Sequence, residues 1–351
     1  MLSCFLLQED SFSLEFCTIS DLKAISESPL LAEAIGSDGY VLQERIIVPP
    51  HLACNAAGFS TQAIAPMKCN APLIFIGHPE LPVQYISVIA KAKKGKATIE
   101  KYDAAIKLTA EGMNLLFSAP IFSASNKAAH RFYSAFKRIN GVLSDCHMKE
   151  SAIARTWIFM EDILRDYELF NKAREQFFKK RFFPVNHLIP ASTGIQGRII
   201  NNEVLSIEFC AFSGKRLSIR QQFSPLQSEP TAYGKLFSRA VVVQFPNNTL
   251  LFISGTAPID KTGASVNAGN FERQLVFTLE ALSAILRDVN GTFSNTIQAV
   301  IYLKRSDDMG LCLRILNEAA FPRERALFQL DVDVCRDDLL CEIEVTALIP
   351  R

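Results

Sequence analysis

The stretch VCRDDLLCEIEV, Val334 to Val345, carries two acids in an alternating run, Glu342 and Glu344 among Cys341, Ile343 and Val345. Such a period-two pattern belongs to a β-strand, and it puts both carboxylates on one face. That face lies either in water or at the floor of a site, and the pattern leaves both readings open. A carboxyl held against a sheet away from water keeps its proton toward neutrality and can serve as a general acid.

Nearer the middle of the chain, LSIEF (Leu205 to Phe209) repeats the motif. Superposed at the shared Ile-Glu, Glu208 stands opposite Glu344 and Ser206 opposite Glu342, so only the later copy keeps the extra acid. The order of elements around the two copies repeats as well. NKAAHRFYSAFKRINGVLS predicts a helix, IARTWIFM a strand and DILRDYELFNKAREQFF a second helix, before the extended PASTGIQ and VLSIEFCAF. FERQLVFTLEALSAILR, with Leu275, Leu279, Leu282 and Leu286 on one face, starts the series again. Strand IQAVIYLK, helix DDMGLCLRILNEAAF and strands ALFQLDVDV and LLCEIEVTAL follow it. PLIFIG in the first half, and SRAVVVQF and TLLFISG joined through PNN in the second, supply strands ahead of the helices. The expected class is α+β, in two modules that each pack helices on one face of a mixed β-sheet. GKRLSIRQQFSPLQSEPTAYGK separates them, which divides the chain into 1–213, a connecting segment 214–235, and 236–351.

A chain of 351 residues with 49% hydrophobic content can bury a large core. Its 37 basic and 36 acidic side chains leave a net charge of +1, which gives no general attraction to nucleic acid or an anionic membrane. Nine cysteines without CxxC spacing, and five histidines without HExxH, suggest neither a disulfide framework nor a metal site. GxSxG, GxGxxG and GxxxxGK[ST] are absent, so no cofactor is expected. MLSCFLLQEDSFSLEF lacks a basic start and no run of eighteen apolar residues occurs, so a cytoplasmic protein is expected.

FISGTAP, Phe252 to Pro258, ends a strand in small residues, and the amides of Gly255, Thr256 and Ala257 can approach a ligand there or simply form an ordinary turn. Arg155, Arg239, Arg314 and Arg325 are candidate carboxylate clamps, with surface solvation as the plain alternative. Cys335 is a candidate nucleophile or proton relay, or a small core residue.

FISGTAPID, ERQLVFTLEALSAIL, AVIYLK and LLCEIEVTAL resemble the reactive-intermediate deaminase (YjgF-like) family over Arg239 to Leu348. That family's Glu-Ile-Glu strand matches Glu342 with its first acid, and its P-x-R arginine corresponds to Arg323 or Arg325 in FPRERAL. A wider resemblance is to the chorismatases, whose fold is similar to the deaminases with an added N-terminal domain. It rests on Ala154 to Phe178 (ARTWIFMEDI through YELFNKAREQFF), PASTGI, YGKLFSRA, ISGTAPI and DVCRDDLLCEIE. It implies two YjgF-like modules, the first degenerate, and gives Glu342 the role of the acid that protonates the enolpyruvyl group of chorismate. Cys335 matches the branch that releases hydroxybenzoate. Ala257 is shared with members that stop at the dihydroxycyclohexadiene carboxylate. NAGNF (Asn267 to Phe271) stands where the family carries a His-Gly-Asp-like run.

With no metal motif the expected enzyme is metal-independent, and the resemblance implies that it releases pyruvate with Glu342 as the catalytic acid; Cys335 is the second catalytic candidate, placed to assist the rearrangement to an aromatic product. Arg155, Arg239 and Arg314 would hold carboxylates with Arg325 as a further candidate, Tyr233 a ring hydroxyl, and Gly255 and Ala257 would lie against the substrate. Chorismate is the expected small-molecule partner, and a homo-oligomer fits a fold whose relatives often trimerise with sites between subunits. The alternatives are an enamine or imine deaminase using the same acid and an arginine, or a ligand-binding member of the fold without catalysis.

Overall fold

Three β-sheets, where the repeat in sequence suggests two, organise the computed structural model of the chain. It describes residues 2–22, 38–59, 69–123, 125, 127–182, 188–200 and 203–351. The first sheet takes β1 (Leu2–Gln8), β2 (Phe12–Leu22), β3 (Gly39–Val48), β4 (Leu73–Ile76) and β5 (Val83–Ala92) in the order β1-β2-β5-β3-β4. The second holds β6 (Ala97–Tyr102), β7 (Ala105–Ala110), β8 (Met113–Ser118), β9 (Ile121–Phe122), β10 (Ile153–Met160), β11 (Ala191–Gln196) and β12 (Leu205–Gly214). Its order is β11-β10-β12-β8-β7-β6, and β9 pairs with β12. The third holds β13 (Ser218–Gln222), β14 (Ala240–Gln244), β15 (Asn248–Thr256), β16 (Thr296–Leu303), β17 (Ala326–Leu330) and β18 (Cys341–Pro350), ordered β13-β14-β15-β18-β16-β17.

All three sheets share one pairing scheme: a parallel pair at one edge, then antiparallel neighbours. The parallel pairs are β3 with β4, β10 with β11 and β16 with β17. β5, β12 and β18 then pair antiparallel with β3, β10 and β16. The stretch PLIFIG contributes β4 to the first sheet, and the strands ahead of the first described helix are β6 to β9 instead. β13 lies within 214–235, so part of that segment is the edge of the third sheet.

Helices cover the outer faces of two sheets. α1 (Ala128–Asp145) and α2 (Ile163–Phe182) lie on the second, where Phe132, Phe136, Phe170 and Phe177 pack against Ile153, Ile158, Ile207 and Phe209. α3 (Phe271–Asp288) and α4 (Met309–Glu318) lie on the third. The α3 start is fixed by Asn270, whose side chain accepts the Arg273 N–H, and its leucines meet Cys341, Ile343 and Val345. The inner faces of the three sheets pack together in one core, which includes Phe16, Ile47 and Phe75 of the first, Trp157 and Phe159 of the second, and Phe252 and Tyr302 of the third.

A buried charge network ties the three sheets at this centre. Arg45 on β3 is 2.6 Å from Glu208 on β12 and 3.7 Å from Glu344 on β18. Arg155 on β10 is 2.7 Å from Glu344, and both guanidinium groups lie over the Trp157 ring, at 4.4 and 5.0 Å. A buried pair of this kind adds little net stability over apolar packing, but losing one partner strands a charge. The equivalence of Glu208 and Glu344 read from the repeat is therefore an equivalence of core ion-pair acceptors.

The shared scheme makes positions comparable across sheets. The last pairs of the parallel edges are Val48 with Ile76, Met160 with Gln196, and Leu303 with Leu330. One residue earlier, Ile47, Phe159 and Tyr302 face Gln84, Ser206 and Glu342 across the antiparallel pair. Glu342 therefore has Ser206 and Gln84 as counterparts. Gln84 is used up: its amide donates to the Phe328 carbonyl at 2.9 Å and its oxygen accepts the Phe328 N–H at 2.7 Å, which closes the junction between the first and third sheets. Phe328 in turn occupies the position that Gly194 has in the second sheet.

Candidate active site

β18 is buried on both faces along Cys341 to Val345, and its odd-numbered side chains belong to the helix-covered core. Glu342 and Glu344 point the other way and are only 4% and 5% exposed, so the shared carboxylate face is not in water. Glu344 is spent on Arg155 and Arg45. Glu342 has no hydrogen bond or ion pair within 4.0 Å among the described residues. Burial, reinforced by the Glu344 charge and opposed by Arg155 and Arg239, pushes its carboxyl up to about 8. At neutral pH it carries a proton.

Gly255 makes room for it. A Cβ built there would stand 1.8 Å from Glu342 Oε1. The glycine is needed for close approach of the acid. Its amide, a candidate ligand contact in the sequence, donates to Thr193 Oγ1 at 3.0 Å. The same hydroxyl oxygen receives Arg155. Ser192 N–H donates to Ser254 Oγ at 2.8 Å, and these bonds stitch β11 of the second sheet to β15 of the third. Glu342 therefore opens at a junction between sheets.

The cavity over Glu342 is walled from both sides. α2 and β11 bring Tyr167, Arg174 and Gly194, while the third sheet and its loops bring Arg239, Ala257 and Cys335. Tyr233, Lys235, Phe237, Gly255 and Arg336 complete the polar and aromatic lining. Arg239 is 1% exposed and Arg174 4% exposed, yet neither guanidinium has a carboxylate within 4.0 Å among the described residues. Arg239 is held by the Ser228 carbonyl, at 3.0 and 2.9 Å, and by Tyr233 Oη at 3.0 Å. Arg174 bonds Asn171 Oδ1 and lies 5.1 Å from the Phe170 ring and 5.4 Å from Phe237. Arg336 donates to the Gly263 carbonyl at 2.9 Å. Lys235 is neutralised by Glu168. Three cationic forks with no carboxylate at hand thus face one protonated acid. Such a lining calls for an anionic ligand, because a buried charge without a counter-charge is costly.

Cys335 is half-buried in the same wall as Glu342 and Tyr167, and desolvation pushes its thiol up to about 12. It is a neutral S–H group at physiological pH, not a thiolate. Of the residues singled out in the sequence, Glu342, Cys335, Tyr233, Arg239, Gly255 and Ala257 line this cavity. Arg155 lies behind it in the central network. Arg314 is on the outer surface, its side chain 60% exposed and 3.8 Å from Glu272. Arg325 donates to the Ser294 and Thr296 carbonyls and stacks 4.3 Å over Phe5, apart from the cavity. Tyr167, Arg174, Lys235, Phe237 and Arg336 were not singled out. The spacing of Tyr167, Phe170 and Arg174, three and then four residues apart, puts them on one face of α2, and an arginine on that otherwise apolar face was the available signal.

Comparison with known proteins agrees with the fold. The family model described as Endoribonuclease L-PSP, which covers the YjgF-like proteins, matches residues 227–349. The 3-hydroxybenzoate synthase of Streptomyces hygroscopicus is 27% identical over 218 residues, 55% of this chain and 63% of that protein, so less than two thirds of its length is spanned. A chorismatase crystal structure superposes with a TM-score of 0.71 at 15% identity, over 97% of this chain and 100% of the other. The chain thus resembles the chorismatases and shares their fold, with a YjgF-like C-terminal part. Among the described residues no helix is long and apolar enough to cross a membrane, and no cluster of three metal-ligating side chains occurs.

Proposed function

We propose that this chain is a chorismatase, cleaving the enolpyruvyl group of chorismate to pyruvate and a ring product. The observation that carries this reading is the buried, protonated Glu342 facing Arg174, Arg239 and Arg336, none of which has a carboxylate partner within 4.0 Å among the described residues. Chorismate is a dicarboxylate with an acid-labile enol ether. Its two carboxylates match the arginine forks and its vinyl carbon needs a proton.

In the proposed mechanism Glu342 gives its proton to the enolpyruvyl methylene carbon, which becomes a methyl group. The electron pair left on the ether oxygen stabilises the adjacent cationic carbon, and the arginine-held carboxylates keep it in place. Water adds to that carbon and returns a proton to Glu342. The resulting hemiketal breaks its bond to the ring oxygen, leaving pyruvate and a dihydroxycyclohexadiene carboxylate. In the branch that aromatises, the ring also loses the elements of one water, a ring hydroxyl and a ring hydrogen, and a hydroxybenzoate leaves instead. Cys335 in the wall and the name of the Streptomyces relative favour hydroxybenzoate as the ring product, while Ala257 in the same wall is shared, by the resemblance, with members that stop at the dihydroxycyclohexadiene carboxylate. The test is incubation of the purified protein with chorismate, following pyruvate and ring products together. Pyruvate no faster than in a Glu342→Gln control sinks the reading, and ammonia from an imino acid would favour the deaminase alternative.

The acid must hold its proton before each turnover, so pH acts through it. Since Glu342 is pushed up to about 8, kcat/KM is expected to be flat below that value. It should fall about tenfold per pH unit above it. A pH–rate profile with no alkaline limb between 7 and 9 would remove Glu342 as the donor. Gly255→Ala is expected to leave the fold intact, because the nearest atoms a Cβ would meet belong to the Glu342 and Thr193 side chains and not to backbone. The displaced carboxyl loses its aim, and a misplacement near 1 Å costs about 10²-fold in kcat. Pyruvate assays on the folded variant read this directly.

A further inference from the structure

A second cavity lies where the edges of the three sheets end together. It is lined by residues after β4, at the end of β11 and at the end of β17, among them His78, Gln196, Arg198, Gln329, Asp331 and Val332. Its free volume is about 120 Å³. That is comparable to an apolar cavity of ~150 Å³ that admits benzene. Its size suits one ring with a small substituent.

Gln329 is the telling residue. The comparable positions in the other two sheets are Phe75 and Ile195, both in the apolar core. Gln329 is 6% exposed, and its side-chain amide has no partner among the described residues. What little of Gln329 is exposed belongs to the cavity it lines, so a molecule held there is the partner its amide can take. The surrounding charges narrow it. His78 Nε2 is 3.3 Å from Asp331, which leaves Arg198 as a lining cation with no carboxylate within 4.0 Å among the described residues. Apolar walls from Ile47, Ile76 and Leu330 complete the enclosure.

We propose that this cavity is a second ligand site, which takes an aromatic monocarboxylate with its ring between the apolar walls and its polar end on Arg198 and the Gln329 amide. The site is also joined to the cavity over Glu342. Gln196 is two residues beyond Gly194, and Val332 three residues before Cys335, so both β11 and the segment after β17 contribute to each cavity. The two segments are bonded to one another, Gln196 N–H to the Asp333 carbonyl at 3.1 Å and Asp333 N–H to Gln196 Oε1 at 2.8 Å. A ligand here bears on the wall that carries Cys335 and Arg336, which makes it an effector site.

The probe is 4-fluorobenzoate followed by fluorine NMR, in an Arg174→Met, Arg239→Met, Arg336→Met background that removes all three carboxylate forks of the first cavity. Saturable binding is expected to persist there, and to weaken at least tenfold when Gln329→Leu or Arg198→Ala is added. Gln329→Leu exchanges an unpaired amide for an apolar side chain of similar size, so its melting temperature should equal or exceed that of the parent. Arg198 is exposed, and its variant decides the matter if Gln329→Leu fails to fold. No saturable binding, or binding indifferent to both substitutions, overturns the proposal. Because binding is read without turnover, the outcome does not depend on whether the chain acts on chorismate.

Discussion

Glu342→Gln is expected to lower the rate of pyruvate release by about 10² to 10⁴-fold, the usual contribution of a positioned general acid. The same change should make the protein more stable. A carboxyl pushed up to about 8 stays protonated in the fold while its unfolded counterpart ionises near 4.5. The folded state thus holds the extra proton between those values, and stability falls as pH rises through that window. Glutamine does not titrate. At pH 7 the variant should gain about 3 kcal/mol over the parent, a difference that vanishes below pH 4.5 and reaches its full size above 8. Urea melts at pH 4 and pH 7, set beside turnover, check both parts. A variant that loses activity and stability together would point to a structural role for Glu342.

Arg239 and Arg174 carry the second large effect. Each is buried without a carboxylate within 4.0 Å among the described residues, so replacement by methionine removes a cation that the empty protein gains little from holding. Folding stability should change little. Substrate binding is another matter, since losing one partner of a desolvated charge pair costs about 2–5 kcal/mol. Each single variant is expected to lose about 10² to 10³ in kcat/KM. Much of that loss should sit in KM, because the carboxylates are held before and after proton transfer alike. Lysine should rescue only partly, since a point charge cannot reproduce the planar fork. Full activity in Arg239→Met would mean that the carboxylates lie elsewhere in the cavity.

Much of the C-terminal sheet was legible in the sequence, because period-two strands and the leucine face of α3 both record a single buried side. The rest was obscured for definable reasons. β1 to β5 carry no amphipathic helix alongside them among the described residues, so the strands alone had to betray the first sheet. Arginines were the harder case. Arg155, Arg174, Arg239, Arg314 and Arg325 look alike as letters, yet one sits in the core with Glu344, two await an anion, one is in solvent and one caps backbone carbonyls. Which anion a guanidinium meets depends on contacts across sheets, and these are remote in sequence. Gly255 shows the same limit, since its need for smallness comes from a carboxyl 87 residues away.

The three junctions between sheets bear on how such a protein can change. In a ring of identical subunits every substitution appears at every interface at once, and a residue good for chemistry at one must be tolerated at all. Here the comparable positions are encoded separately, as Glu342, Ser206 and Gln84. One of the other two junctions is sealed by Gln84 against Phe328, and under the proposed function the junction of Glu342 is the one that answers to the substrate. Under the proposed function the consequence is one reacting centre at these three comparable positions, and a centre whose two walls, α2 with β11 and β15 with β18, can be altered independently of each other.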